Sequence, residues 1–151
     1  FLDGLAESCG VELSRAEERR LADTVLMTWP QVKTLRAAGM DVQSHTSTHR
    51  VLQTVPEREL LDELGSAREL LEGILREPVR TISYPVGNPL RDAPYIKNAV
   101  RAAGYDLGFS NGTGVNHRWS FDPLDAKRIS LDRGLTDPFF RAMMAVPYLA
   151  Y

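Results

Sequence analysis

One joint between a helix and a strand occurs twice in this sequence. Residues 35–42 are LRAAGMDV and residues 100–107 are VRAAGYDL, so five of eight positions are identical. Each copy has the pattern of a helix end, a glycine cap and the start of a strand. Repeated units of this kind build a parallel α/β sheet, either open or closed into a barrel. Because functional groups of such sheets gather at the carboxyl ends of the strands, the residues after each strand are the first candidates for a site.

The other helices and strands are predicted from caps and periodicity. A charge-rich stretch at residues 5–24 indicates a solvated helix, and Thr28 with Gln31 has the pattern of a capping box that opens a helix ending at Gly39. A second box at residues 54–57 predicts a helix to about Leu75. Its expected buried stripe is Leu60, Leu61, Leu64, Ala67, Leu71, Ile74 and Leu75. The remaining predictions are strands at 40–44, 79–84, 105–109 and 127–131 and helices at 93–103 and from 136 onward.

Charge and composition exclude several classes of protein. The chain has 151 residues, and 18 Lys and Arg against 20 Asp and Glu give a net charge of −2, which does not favour binding to nucleic acid. No apolar run is long enough for a membrane span. The single cysteine, Cys9, excludes an internal disulfide bond. A doubly wound sheet that binds a phosphorylated ligand is disfavoured, since no glycine-rich phosphate loop opens a helix.

Two of the three histidines follow the predicted strand at 40–44. His45 and His49 are four residues apart, and an i, i+4 pair on a helical turn converges on one point. Imidazole is a common ligand of zinc and related metals. The alternative is a capped turn with two incidental histidines, and the spacing alone leaves both interpretations open. His117 lies in a loop rich in Gly and Asn, where we expect it to be exposed.

A turn follows the next predicted strand, at residues 83–88. Pro85 fixes the chain, and Gly87 permits an unusual backbone angle. The N–H group of Val86 is then free to point into a cleft, as an oxyanion donor does. An ordinary turn is the alternative interpretation of the same residues.

Together these segments resemble the NodB-homology polysaccharide deacetylases. Residues 45–49, HTSTH, look like the family's His-Ser/Thr-x-x-His metal motif, and residues 83–87, SYPVG, look like its Tyr-Pro-x-Gly turn about forty residues later. The segments FLDG at Phe1 and MTW at residues 27–29 are also similar to the family, and the resemblance extends to about Leu131. It implies a distorted (β/α) barrel of about seven strands. We therefore expect residues 1–151 to be one domain, a partial barrel without its first strands.

The resemblance also implies an activity and its residues. The family hydrolyses N-acetyl, and sometimes O-acetyl, groups of glycans with a divalent metal held by two histidines and one aspartate. It implies that His45 and His49 bind the metal, that Val86 supplies the oxyanion donor, and that Tyr84 and Pro85 shape the acetyl pocket. Zinc is the expected ion, although cobalt, nickel and iron suit the same ligands. The expected partner is an acetylated polysaccharide or oligosaccharide.

Part of the family pattern is absent from these residues. Its Thr-Phe-Asp-Asp motif supplies the base and the aspartate ligand, and we expect it upstream of Phe1 together with any targeting segment. The segment by itself is then expected to be inactive. Ser83 stands where many members have Arg, and Arg128 matches a later Arg that holds the base; its alternative is an ordinary surface charge. No Leu-x-x-His acid motif is present. The alternative function is an inactive barrel that binds a carbohydrate or a protein, and either the cytoplasm or the cell envelope is compatible with the sequence.

Overall fold

The computed structural model describes residue 10, residues 14–131 and residues 134–146. The predictions for Phe1–Gly4 and Cys9 lie outside these residues. The chain divides into two compact units, Phe1–Val42 and Gln43–Tyr151. All the predicted site residues belong to the second unit.

The first unit contains two helices among its described residues, α1 at Arg15–Val25 and α2 at Trp29–Ala37. No residue of α1 is buried, which confirms the prediction of a solvated helix. The N–H group of Thr28 donates to the Gln31 side chain at 2.8 Å, so the predicted cap of α2 is present. Gly39 follows α2 with a φ angle of +90°, the left-handed conformation expected of a glycine cap.

The second unit alternates helices and parallel strands. Its described elements are a 3₁₀ turn at Leu52–Thr54, α3 at Glu57–Leu75, β1 at Thr81–Ser83, α4 at Pro94–Ala102, β2 at Leu107–Thr113, β3 at Ala126–Arg128 and α5 at Asp137–Ala145. The strands form one sheet in the order β1-β2-β3, and both pairs are parallel. This confirms the predicted α/β class with a parallel sheet.

The predicted strand at 40–44 is reduced to one residue. Ser44 makes an isolated parallel bridge to Ile82, on the edge of β1 that faces away from β2. The prediction of parallel pairing is therefore confirmed at Ser44, whereas the preceding residues 40–43 form no described strand.

Helix α3 ends at Leu75 as predicted, but it begins differently. The Thr54 hydroxyl donates to the carbonyl oxygen of Val51, so the second capping box does not form, and the N-cap is Pro56. The predicted buried stripe is wrong at Leu61, which is 51% exposed, whereas Glu63 is buried. The helix therefore turns a carboxylate rather than this leucine toward the interior.

The hydrophobic core of the second unit lies where α3 and α4 pack with the sheet. The core residues are Leu52, Val55, Leu60, Leu64, Val79, Ile82, Tyr84, Leu90, Ala93, Ile96, Val100, Ala103, Tyr105 and Leu124. Ile82 and Tyr84 are buried, while Thr81 and Ser83, which alternate with them, are only half-buried, as the alternation of a strand requires. In the described part of the chain, every helix is too short or too polar to cross a membrane.

Candidate metal and substrate site

The residue before the first histidine is anchored to β1 and to the core. Ser44 donates its N–H to Thr81 at 3.1 Å and accepts the N–H of Ser83 at 3.0 Å. Its buried hydroxyl lies 2.8 Å from the hydroxyl of Tyr105. These three contacts fix the position from which the His45 side chain extends, at the carboxyl end of the sheet.

The two histidine rings lie side by side. The ring centroids of His45 and His49 are 4.7 Å apart, with 71° between the ring planes, and both residues are exposed. The turn from His45 to His49 contains two left-handed residues, Thr46 at φ +68° and His49 itself at φ +58°. The N–H of His49 donates to the Thr46 hydroxyl at 3.2 Å. A turn with left-handed residues, rather than the helical turn that the spacing suggested, therefore brings the rings together.

The hydrogen bond from His45 to Ser83 sets the tautomer of this histidine. Its Nδ1 atom lies 2.7 Å from the carbonyl oxygen of Ser83. A carbonyl oxygen only accepts, so Nδ1 carries the proton and the lone pair of the neutral ring is on Nε2. A backbone carbonyl that holds one ring nitrogen is the usual outer contact of a metal-binding histidine.

Glu63 on α3 holds the turn between the histidines. Its carboxylate accepts the N–H of Thr48 at 2.7 Å and the Thr48 hydroxyl at 2.8 Å, and its backbone oxygen accepts the N–H of Ser47 at 3.1 Å. Burial by itself raises the pKa of Glu63, but hydrogen bonds from Thr48, Thr46 and Ser47 outweigh it and lower the pKa. The sequence analysis did not select Glu63. The signal that could have identified it is an acidic residue placed within the apolar stripe of α3.

Tyr84 and Pro85 lie in the core beneath the second turn. Both are buried, and the Tyr84 hydroxyl donates to the carbonyl oxygen of Leu124 at 2.7 Å. Burial raises the pKa of Tyr84, and the carboxylates of Asp125 and Asp122 raise it further. The hydroxyl therefore stays protonated and ties the base of the turn to the segment before β3.

The exposed part of the turn is strained. Val86 has a φ angle of +60° and Gly87 one of +75°, and the left-handed conformation is unfavourable for a β-branched residue. Val86 is 61% exposed, and its N–H group donates to none of the described residues. A Cβ atom on Gly87 would overlap the side chain of Asn111. The N–H group of Val86 is thus a backbone donor without a partner among the described residues, and it belongs to an exposed residue.

Asn111 and Arg128 brace this turn from β2 and β3. The Asn111 side-chain amide donates to the carbonyl oxygen of Val86 at 2.9 Å, and its backbone N–H donates to Gly87 at 2.6 Å. The Arg128 guanidinium donates to the carbonyl oxygen of Ser110 at 2.8 Å and to the side-chain oxygen of Asn111. Arg128 therefore contacts the turn through Asn111, a residue that the sequence analysis did not select.

The arrangement has two imidazoles suited to a borderline divalent cation. Nε2 of His45 is available for coordination, and the neighbouring ring of His49 is exposed. Within the described residues, no group of three His, Cys, Asp or Glu side chains is placed to hold one ion. His117 is exposed, as predicted, and lines a separate cleft beside β2, β3 and α4.

Comparison with known proteins identifies the family. A family model described as polysaccharide deacetylase matches residues 13–108, which is more than half of the chain. The chain belongs to the polysaccharide deacetylase family. The matched residues include the histidine pair and the Tyr84–Gly87 turn, and they end within β2.

The individual proteins to which this chain is similar carry the names of deacetylases. YxkH of Bacillus subtilis (strain 168), whose name assigns it to the polysaccharide deacetylases, is 26% identical over 95 residues, which are 61% of this chain and 32% of YxkH. The Streptococcus pyogenes deacetylase PplD, solved with acetate, aligns with a TM-score of 0.72 and 20% identity, over 82% of this chain and 54% of that one. The polysaccharide deacetylase BC0361 from Bacillus cereus aligns with a TM-score of 0.66 and 24% identity, over 77% of this chain and 36% of that one.

These solved structures establish the fold of the chain. The parallel sheet and its helices correspond to part of the deacetylase barrel, which confirms the predicted partial barrel of the NodB-homology type. The chain spans about a third of its curated relative and about half or less of the two solved chains.

Proposed function

We propose that this chain carries the metal-binding and oxyanion-binding turns of a metal-dependent deacetylase that hydrolyses N-acetyl or O-acetyl groups of a polysaccharide or oligosaccharide. Membership of the polysaccharide deacetylase family supports a hydrolase acting on acetylated polysaccharides. The observation that carries the proposal is the hydrogen bond between His45 and Ser83, because it joins the histidine turn to the residue directly before the Tyr84–Gly87 turn. In this proposal residues 1–151 belong to a single deacetylase domain.

His45 and His49 are the proposed metal ligands. Zinc suits two imidazoles best, and cobalt, nickel and iron are compatible with them. When bound, the ion supplies Lewis acidity and an activated water for hydrolysis of the acetyl group. Ser83 keeps the His45 ring in the tautomer that leaves Nε2 free, and Glu63 holds the turn on which His49 lies.

Val86 is the proposed oxyanion donor. As water adds to the acetyl carbonyl, its oxygen becomes negative, and a backbone N–H already aimed at that position stabilises the charge without reorganisation. The contacts of Asn111 with Val86 and Gly87 hold the turn in its left-handed conformation, and Arg128 acts as a positioning residue through Asn111. Tyr84 and Pro85 support the acetyl pocket from beneath the turn.

The test is release of acetate from N-acetylated chito-oligosaccharides by the natural protein that carries this segment, with added zinc or cobalt. His45→Ala and His49→Ala should each reduce the rate by at least ~100-fold, since removing a ligand costs more than removing an outer contact. His117→Ala serves as the control and should change the rate by less than about 2-fold, because His117 lies outside the proposed site. A rate that resists a chelator, or wild-type rates in both ligand variants, would contradict the proposal.

A further inference from the structure

The residue directly before each of the two histidines is held by the same step of α3. Thr48 precedes the second histidine, and the Glu63 carboxylate accepts its N–H at 2.7 Å and its hydroxyl at 2.8 Å. Ser44 precedes the first histidine. Its buried side chain reaches Leu64, the next residue of the helix, through one intervening group, the hydroxyl of Tyr105.

The protons of this second connection run in one direction. The Tyr105 hydroxyl lies 2.8 Å from the Ser44 hydroxyl and 2.9 Å from the carbonyl oxygen of Leu64. A phenol has one proton and a carbonyl oxygen only accepts, so Tyr105 donates to Leu64 and accepts from Ser44. Burial raises the pKa of Tyr105 and outweighs the bond from Ser44, which lowers it. The phenol therefore keeps the proton that it donates to Leu64.

The repeated joint between helix and strand shows that the backbone at this position does not need a tyrosine. The residue after the glycine is Met40 in the first copy and Tyr105 in the second. The N–H of Met40 donates to Leu35 at 3.1 Å and that of Tyr105 to Val100 at 3.2 Å, so both copies close the same cap. Met40 is 58% exposed, whereas Tyr105 is 2% exposed. A hydroxyl is costly to bury without a partner, so its burial in the second copy depends on its contacts with Ser44 and Leu64.

The position of Ser44 controls the geometry of the His45 ring. Ser44 makes an isolated bridge to Ile82, and the residues before it form no described strand that would extend the pairing. Its backbone oxygen accepts the N–H of Ser83, and the carbonyl oxygen of Ser83 lies 2.7 Å from Nδ1 of His45. A shift of Ser44 along the edge of β1 would therefore change the contact that sets the tautomer of the ring.

We propose that Tyr105 is a positioning residue of the histidine site, whose hydroxyl holds Ser44 and thereby keeps the His45 ring in contact with Ser83. The inference rests on the proposed function for the role of the two histidines as metal ligands. Together with Glu63, Tyr105 lets one step of α3 hold both ends of the histidine turn, so that the two ring centroids stay 4.7 Å apart.

The experiment measures the zinc affinity of the 151-residue chain by calorimetry, in the wild type, Tyr105→Phe, Ser44→Ala and the double variant. Each single substitution removes one hydroxyl and should raise the dissociation constant about tenfold, as loss of an outer contact of a metal ligand does. The double variant should bind within about 2-fold of the weaker single variant, because the two hydroxyls act as one unit. The control is Ile96→Val, a buried residue of α4 outside these contacts, which weakens the core but should change the affinity by less than about 2-fold.

A measurement without metal separates this inference from the proposed function. At about pH 8 imidazole is neutral, and the ¹⁵N shifts of the His45 ring report the fraction of the tautomer with the proton on Nδ1. Tyr105→Phe should lower this fraction, whereas Ile96→Val should leave it unchanged. If the wild type binds no zinc but the tautomer responds to Tyr105→Phe, the proposed function fails and the positioning role stands.

The inference would be overturned by any of three results. The first is an unchanged His45 tautomer in Tyr105→Phe, and the second is a zinc affinity that falls as much in Ile96→Val as in the two hydroxyl variants. The third is a double variant in which the two single losses simply add, because the hydroxyls would then act independently. If Tyr105→Phe fails to fold, Ser44→Ala, which removes a single oxygen atom, carries both measurements.

Discussion

The Nδ1 atom of His45 lies 2.7 Å from the carbonyl oxygen of Ser83, although the two residues are 38 positions apart in the chain. Each residue borders one of the two turns that carry the candidate site, the histidine turn and the Tyr84–Gly87 turn. Their contact exists because Ser44 pairs in parallel with β1. The segment that ends at Ser44 and strand β1 therefore reach the same edge of the sheet. The geometry of the proposed metal ligand His45 is thus coupled to the end of β1.

The first prediction concerns metal binding by the histidine pair. On titration with zinc, the ring signals of His45 and His49 should shift or broaden together in NMR spectra, because their rings are neighbours and Nε2 of His45 is free. His45→Ala should weaken zinc binding by at least about tenfold. His117 is the internal control, and an equal response of its ring would argue against a specific site.

The second prediction concerns the support of the histidine turn by Glu63. Glu63→Ala removes the acceptor of two bonds from Thr48 and should lower the free energy of unfolding by about 1–3 kcal/mol in urea denaturation. The matched control is Glu69→Ala, an exposed acid of the same helix, which should change stability by less than about 0.5 kcal/mol. The Glu63 variant should also bind zinc more weakly than the control, and equal zinc affinity would show that the carboxylate is only structural.

The third prediction concerns the pH dependence of the stabilisation that Glu63 supplies. The pKa of Glu63 in the folded chain is below its ordinary value of 4.5, so the folded state binds fewer protons than the unfolded state as this group titrates. Its stabilisation is therefore complete above about pH 4.5 and is lost as the pH falls through the lower, folded-state value. The difference in unfolding free energy between wild type and Glu63→Gln should shrink over the acidic range below the ordinary value of 4.5. A difference that stays constant across that range would show that the ionised carboxylate is not responsible.

The fourth prediction concerns strain in the Tyr84–Gly87 turn. Val86→Gly should leave stability unchanged or raise it by up to about 1 kcal/mol, because glycine adopts the left-handed conformation without strain and the exposed side chain loses little packing. Gly87→Ala should lower stability by about 1–3 kcal/mol, since its Cβ would overlap Asn111 at a positive φ angle. Chemical denaturation measures the free energy of unfolding of both variants. A Gly87→Ala variant more stable than Val86→Gly would be inconsistent with the left-handed backbone of this turn.

The fifth prediction concerns the brace formed by Asn111. Asn111→Ala removes the donor to Val86 and the acceptor for Arg128, and should lower stability by about 1–2 kcal/mol. It should also shift the amide resonance of Val86, because the turn loses its side-chain contact. Asn98→Ala, at an exposed position of α4, is the control. An unshifted Val86 resonance would show that the backbone bond to Gly87 alone maintains the turn.

Local signals in the sequence predicted most of the elements. The glycine cap at Gly39, the end of α3 at Leu75 and the start of α5 after Thr136 lie where the residue types within a few positions predicted them. The predicted strands at 40–44, 79–84 and 127–131 were longer than the observed ones, since a strand extends only as far as its neighbour pairs with it, whereas β2, predicted at 105–109, runs from Leu107 to Thr113. The box at residues 54–57 failed because the Thr54 hydroxyl donates to Val51 instead of capping α3.

The sequence by itself determined the alternation of helices and parallel strands, the family and the two turns to which we assign the chemistry, because these depend on local patterns and motifs. Only the tertiary structure decided how those turns are held. Glu63 reaches Thr48 across 15 positions and Asn111 reaches Val86 across 25, so both contacts depend on how α3, β1 and β2 pack together. The same packing buries Tyr84 and leaves Val86 exposed, since burial is a property of the assembled sheet rather than of one residue.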